Sequence, residues 1–256
     1  MTVPAMTPAR VWWSAVRPAT LAASVSPVLA GTAVAIHEGS IRPAAGFAAL
    51  VVALGMQVGV NFANDYSDFT RGADTPTRIG PVRAASSGLI PPPRVMWAAI
   101  VAFGGLGELF VFIFFGLVAT CGTVYVESLR LTPLAVLAGC GIGFLATAIL
   151  VLNNLRDIET DAAAGKRTLA TRIGRDRTLI LLVVLVCAAF TMPILMFMLK
   201  FAAVTVMLVH FGIPIAAVPV RAAFASREGP ALVGALKRMA ATEVAYALLL
   251  TAGLLA

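Results

Sequence analysis

Charge is scarce in this 256-residue chain: Asp, Glu, Lys and Arg together make up 12% of it, about half of the roughly 25% found in an average soluble domain. Most of its surface is therefore not built for water. Cysteine is nearly absent as well. Cys121, Cys140 and Cys187 lie inside apolar stretches without C-x-x-C spacing, which excludes a disulfide framework and a zinc site. No EF-hand loop is present, and G-K-R-T at 165–168 lacks both the earlier Gly and the leading strand of a P-loop. Low-complexity tracts and linker composition are also lacking, so the chain reads as one domain over 1–256. A signal peptide is not expected. The apolar region after Arg10 is interrupted by Arg17 and Pro18 and continues to Ile36, beyond an h-region of roughly 7–15 residues.

What is present is hydrophobic, at 60% of residues. A membrane helix needs about 20 mostly apolar residues, and seven segments come close: 12–36, 43–63, 109–126, 132–152, 178–198, 201–220 and 239–256. The expected fold is an all-α, polytopic transmembrane helix bundle of about seven full spans. Residues 95–103 are apolar over nine residues only, and are expected as a half-helix on the cytoplasmic side. The net charge of +7 finds its explanation in topology. With the N-terminus inside, segments 1–17, 64–108, 153–177 and 221–238 carry 16 of the 19 basic residues, leaving Arg42, Arg130 and Lys200 outside. The chain is expected in the lipid bilayer of the cell membrane, with its N-terminus cytoplasmic and no nucleic-acid partner.

Two spans end on that cytoplasmic side in acidic, amide-rich sequence, VNFANDYSDFTRGAD (60–74) and VLNNLRDIETD (151–161). They hold six of the twelve acidic residues. On a helix Asn61, Asn64, Asp65 and Asp68 share one face at i, i+3, i+4 and i+7. Asn153, Asp157 and Asp161 follow at i, i+4 and i+8, with Asn154 on the adjoining row. Carboxylates so close to lipid need a positive partner, and hard oxygen ligands suit Mg²⁺ shared with phosphate oxygens. Arg71, Arg78 and Arg83 follow the first cluster, and Lys166, Arg167 and Arg172 the second. Cations around a carboxylate-held metal are what a diphosphate needs. The competing reading of the cations is ordinary positive-inside loading. Glu108 divides between a functional residue and a boundary residue, His210 is expected to bond a neighbouring helix, and Glu243 is expected at the interface.

NDYSDFTRGADTPTRIGPVRAASSGLIPP (64–92) and NNLRDIETDAAAGKRTLATRIG (153–174) resemble the two aspartate-rich regions of the UbiA-type membrane prenyltransferases, closest to the 1,4-dihydroxy-2-naphthoate polyprenyltransferase branch of menaquinone biosynthesis. W-x-x-x-R-P-x-T-L at 13–21 and GLGELFVFIFFGLVATCGTVYV at 105–126 are similar to other helices of that branch. The resemblance implies a magnesium-dependent enzyme that transfers a polyprenyl group from polyprenyl diphosphate to an aromatic acceptor, 1,4-dihydroxy-2-naphthoate, with decarboxylation to demethylmenaquinone. It implies Asp65, Asp68, Asp157 and Asp161 as catalytic and metal-binding, with Asn61, Asn64, Arg71, Asp74, Arg78, Arg83, Asn153, Asn154, Lys166 and Arg167 binding substrate. Ala19 and Ala22 depart from the branch, which has Lys or Arg and often Pro there. The family pattern has nine spans, and a gap equivalent to roughly 30–50 residues is expected between Phe103 and Gly104. Rival readings are another aromatic acceptor, a non-catalytic relative, or a transporter. Transporter sites, however, tend toward the midplane.

Overall fold

The computed structural model describes residues 18–70 and 107–256, apart from the side chains of 18–20, 22 and 62–70. The described chain is helical and membrane-spanning. In order come α1 (Pro18–His37), α2 (Pro43–Thr70), α3 (Gly107–Ser128), α4 (Pro133–Arg156), the short α5 (Ile158–Ala163), α6 (Leu169–Met198), α7 (Val204–Ala225) and α8 (Gly229–Leu255). The seven expected spans correspond to α1–α4 and α6–α8. Six of these seven are long and apolar enough to cross a bilayer, and α1 adds a shorter apolar stretch at Ala23–His37. The expected half-helix at 95–103 lies outside the described residues.

Local sequence fixes the ends. Thr132 caps α4 by accepting from the Ala135 amide at 3.2 Å, with Pro133 in the first turn, and Thr168 caps α6 from Thr171 at 3.2 Å. α8 starts earlier than hydropathy alone places it, at Gly229 rather than 239, while α6 opens with a short helical piece from Leu169 that breaks at Gly174 (φ 78°, ψ 170°) before the span expected from 178. Lys237 and Arg238 keep an apolar window out of the start of α8, although Pro230 in its first turn allows the helix there, and the polar run around the Gly174 break does the same ahead of the α6 span. The Arg175 guanidinium donates to the Ala223 and Ser226 carbonyls at 2.7 Å each, tying the start of α6 to the end of α7.

The core sits around α4, where Ile142, Leu145, Leu152 and Leu155 are fully buried. Lipid is as apolar as leucine, so helices in a membrane associate through close van der Waals contact between small residues. Gly141 gives room to Tyr246 of α8, whose hydroxyl donates to the Ala189 carbonyl at 2.9 Å and whose ring meets Phe190 edge-on at 5.5 Å. Gly116 of α3 presses on Gly139 and Gly143 of α4. At this crossing α3 widens into a π-helical stretch, Phe112–Val118. Outward-facing residues are apolar, including Phe47, Val184 and Phe211, more than half exposed. Most of the α2 span Pro43–Asn61 is exposed or half-buried; Gly46 and Asn61 are buried, and its main contacts are with α1 and α3.

Glu243 corrects the reading of the sequence: it lies near the middle of α8, 1% exposed, not at an interface. The early start of α8 moves it inward. His210 bonds the Met207 carbonyl of its own element at 3.2 Å, and its ring faces Phe190 of α6 at 6.2 Å.

Candidate active site

Cross-helix contacts define two ends of the bundle. At one end Thr32 of α1 donates to Glu127 Oε1 of α3 at 3.1 Å, Gly46 of α2 sits flush against that carboxylate, and His37 meets the Leu254 carbonyl at 2.8 Å. At the other, Asn154 Nδ2 of α4 donates to Glu108 Oε1 of α3 at 2.9 Å. Asn154 is buried, and Thr147 holds the Glu108 region through its main-chain carbonyl at 3.4 Å. Glu108 is therefore a partner of a candidate site residue rather than a solvated helix start.

The second cluster does not ride on one continuous helix. α4 ends at Arg156, Asp157 leaves helical geometry at φ −96° and ψ 9°, and α5 begins at Ile158. Main-chain bonds nevertheless persist across the break, from Asp157 N to Asn153 O at 3.2 Å and from Asp161 N to Asp157 O at 2.7 Å. The i, i+4, i+8 spacing thus keeps its meaning. Arg156 was missed by the sequence reading. Its Nε donates to Asp157 Oδ1 at 2.7 Å, and its Nη2 bonds both Asp157 Oδ2 and Asn153 Oδ1, the latter at 3.0 Å. The order N-N-L-R-D carries the signal, because side chains three apart and adjacent across a helix end converge.

α5 closes in a Schellman motif: Lys166 N donates to Asp161 O at 2.8 Å, Gly165 N donates to Ala162 O at 3.1 Å, and Gly165 takes φ +68°. That turn returns the chain over the helix end. Lys166 Nζ comes to 3.4 Å from Asp161 Oδ1, with Asp161 buried. Lys166, Arg167, Thr171 and Arg172 then line a groove of about 460 Å³ with Ala162 and Gly165. Two carboxylates and a wall of cations occupy one end of the bundle, an arrangement able to take an anionic group.

For the first cluster the helix itself is described. Asn61 is buried and accepts from Gln57 Nε2 at 3.3 Å, whereas Asn64, Asp65 and Asp68 have only their backbone described. Asp74, Arg71, Arg78 and Arg83 lie outside the described residues. Depth follows from helix geometry. Gly46 and Glu127 are side by side, and nineteen residues along α2 lead to Asp65, as nineteen back along α3 lead to Glu108. At 1.5 Å per residue the step along α2 covers about 28 Å, and the step along α3 is altered by its π-helical stretch Phe112–Val118, so Asp65 and Glu108 both lie toward the end of the bundle opposite the Gly46–Glu127 contact. Among the described residues no three His, Cys, Asp or Glu side chains gather to hold an ion. The donors Asp157 and Asp161 are hard oxygens of the kind Mg²⁺ takes, two of the ligands it would need.

The model of the UbiA prenyltransferase family matches residues 102–239. A 1,4-dihydroxy-2-naphthoate octaprenyltransferase of Mycobacterium tuberculosis is 35% identical over 85% of this chain and 88% of its own length. The enzyme of that name from Mycobacterium leprae is 33% identical over 93% of each. The former alignment runs over 261 positions, whereas 85% of 256 residues is about 218, so roughly 43 positions face no residue of this chain. That shortfall has the size of the gap expected between Phe103 and Gly104. A solved structure of digeranylgeranylglyceryl phosphate synthase superposes with a TM-score of 0.56 at 14% identity, covering 97% of this chain and 99% of that one, and shares the fold. With a family match over half its length and relatives about a third identical over 85–93% of it, the chain belongs to the UbiA prenyltransferase family.

Proposed function

We propose that this prenyltransferase uses Mg²⁺ to transfer a polyprenyl group from polyprenyl diphosphate to 1,4-dihydroxy-2-naphthoate, releasing CO₂ and diphosphate and giving the quinol form of demethylmenaquinone. The observation that carries the reading is one end of the bundle where Asp157 and Asp161 adjoin a groove lined by Lys166, Arg167 and Arg172. The ends of α2 and α3 that carry Asp65, Asp68 and Glu108 lie opposite the Gly46–Glu127 contact, which supports a reading in which one diphosphate spans both clusters.

Asp65, Asp68, Asp157 and Asp161 hold the metal, which when bound neutralises diphosphate oxygens. Asn61, Asn64, Asn153 and Asn154 orient these carboxylates and the donor. Lys166 and Arg167, with Arg71 and Asp74 from the first region, bind and position the diphosphate. As the bond between prenyl C1 and oxygen breaks, its electron pair leaves with the diphosphate, and groove cations stabilise that charge. The electron-rich ring carbon bearing the carboxylate attacks the allylic carbon, and the carboxylate departs as CO₂. Arg78 or Arg83 binds the acceptor carboxylate beforehand. The reaction faces the cytoplasm from the cell membrane.

The test is direct. Purified protein with Mg²⁺, radiolabelled polyprenyl diphosphate and a panel of aromatic acids is expected to give a labelled lipid with the dihydroxynaphthoate alone. Product from a different acid overturns the acceptor, and no product from any overturns the activity.

A further inference from the structure

Both described carboxylates assigned to the metal already carry a cation of the chain. Arg156 covers both oxygens of Asp157 and reaches Asn153 as well, and the two charged side chains are only 9% and 14% exposed. Lys166 holds Asp161, at 15% and 5% exposure. Neither arrangement is left to chance side-chain motion. Arg156 is the last residue of α4 and Asp157 the turn that follows, while the Schellman motif sets Lys166 above Asp161. Carboxylates this sheltered from water require a counter-charge, and a planar guanidinium on both oxygens occupies the lone pairs that a metal would take.

From this we infer that Arg156 and Lys166 are resident counter-ions that compete with the divalent metal for Asp157 and Asp161, so that metal binds well only together with diphosphate. The inference rests on the reading of Asp157 and Asp161 as metal ligands. A metal arriving alone must displace the guanidinium and leave it, beside an ion of like charge, with only the neutral Asn153 Oδ1 as acceptor. A metal arriving with diphosphate brings phosphate oxygens that the displaced Arg156 and Lys166 accept as new partners. By linkage the effect is reciprocal, and diphosphate also binds better with metal present. The consequence is ordered occupancy: the empty enzyme keeps its carboxylates paired, and the site assembles around the complete donor. Arg156 acts here as a positioning residue.

The experiment uses the full chain in nanodiscs, with protein-bound Mn²⁺ measured by electron paramagnetic resonance at matched free Mn²⁺, with and without inorganic pyrophosphate. In the parent protein, saturating pyrophosphate is expected to strengthen Mn²⁺ binding about tenfold or more. In Arg156→Gln, Mn²⁺ alone binds about fivefold more tightly, and the enhancement by pyrophosphate falls below about threefold. Arg156→Lys lies between, since an ammonium covers one oxygen where the guanidinium covers two. Lys166→Gln shifts the same ratio through Asp161 and keeps the test open should Arg156→Gln fail to fold, as read by thermal unfolding. Coupling that survives in both Gln variants, with Mn²⁺ affinity in the absence of pyrophosphate unchanged, overturns the inference while leaving the metal site standing. Mn²⁺ binding indifferent to Asp157→Asn under both conditions overturns the metal-site reading, and the inference with it.

Discussion

Asn154 shows how much a single side chain depends on its partner. Buried at the end of α4, it is fixed by Glu108 at 2.9 Å. Glu108→Ala is expected to lower kcat about tenfold, the worth of one net hydrogen bond of roughly 1–1.5 kcal/mol, because Asn154 loses the acceptor that orients it. Glu108→Gln keeps an amide oxygen in place and should lose less; equal losses in steady-state assays would show that the charge, not the bond, matters. For the carboxylates the expectation is harsher. Asp157→Asn and Asp68→Asn each preserve shape and remove a charged ligand, so turnover should fall about 100-fold or more. Near-normal turnover in either variant, or in excess chelator, would remove the diphosphate-site reading.

Between α3 and α4 the contact is made by glycines. A methyl group built on Gly116 would meet the Gly139 carbonyl at 2.7 Å and the Gly143 amide at 2.9 Å, all of them backbone atoms that have nowhere to go. Gly116→Ala is therefore expected to destabilise the bundle by about 1–3 kcal/mol through overpacking. It should also lower turnover by pushing Glu108, two turns away on α3, off Asn154. Gly122, on the same helix with open space around it, supplies the control: Gly122→Ala should leave thermal stability and turnover nearly unchanged. A loss in Gly122→Ala as large as in Gly116→Ala would show that the crossing is not the cause, since alanine's better helix propensity can only add stability at either position. The helices themselves were legible in the sequence, because about 20 apolar residues identify a span. Their ends were less so, since α6 is preceded by a short Thr168-capped piece that breaks at Gly174, and α8 begins at Gly229, well before the Lys237–Arg238 pair that interrupts its apolar pattern.

At the scale of the whole molecule the arrangement implies a sidedness. Labels at 166 and 227 are expected to react from one side of the membrane and a label at 130 from the other, following the 16 basic residues of the inside segments. Position 74 should react with 166, and opposite accessibility would separate the clusters by a hydrocarbon core about 30 Å thick, too far for one diphosphate. Leu109, Val118, Tyr125 and Val126 on α3 remain exposed among the described residues. With roughly 43 aligned positions of the M. tuberculosis relative unmatched, turnover is expected below that of the relative in a side-by-side assay. Equal rates would show that the isoprenoid needs no further wall there.

The sequence by itself determined the solvent, the spans seen among the described residues, the ends that gather charge, and the spacing that puts Asp157 four residues from Asn153 and Asp161 four further on. All of these depend on composition or on neighbours within a turn or two, where covalent geometry fixes distance. The Arg156–Asp157 pair belongs to the same class and was there to be read in N-N-L-R-D. Only the tertiary structure decided that Glu108 reaches Asn154 across 46 residues, that Glu127 answers Thr32 across 95, and that Glu243 is enclosed rather than interfacial. Such pairings are set by where helices cross. Those crossings are decided by glycine contacts such as Gly116 on Gly143, between residues far apart in sequence that become neighbours only when the bundle packs.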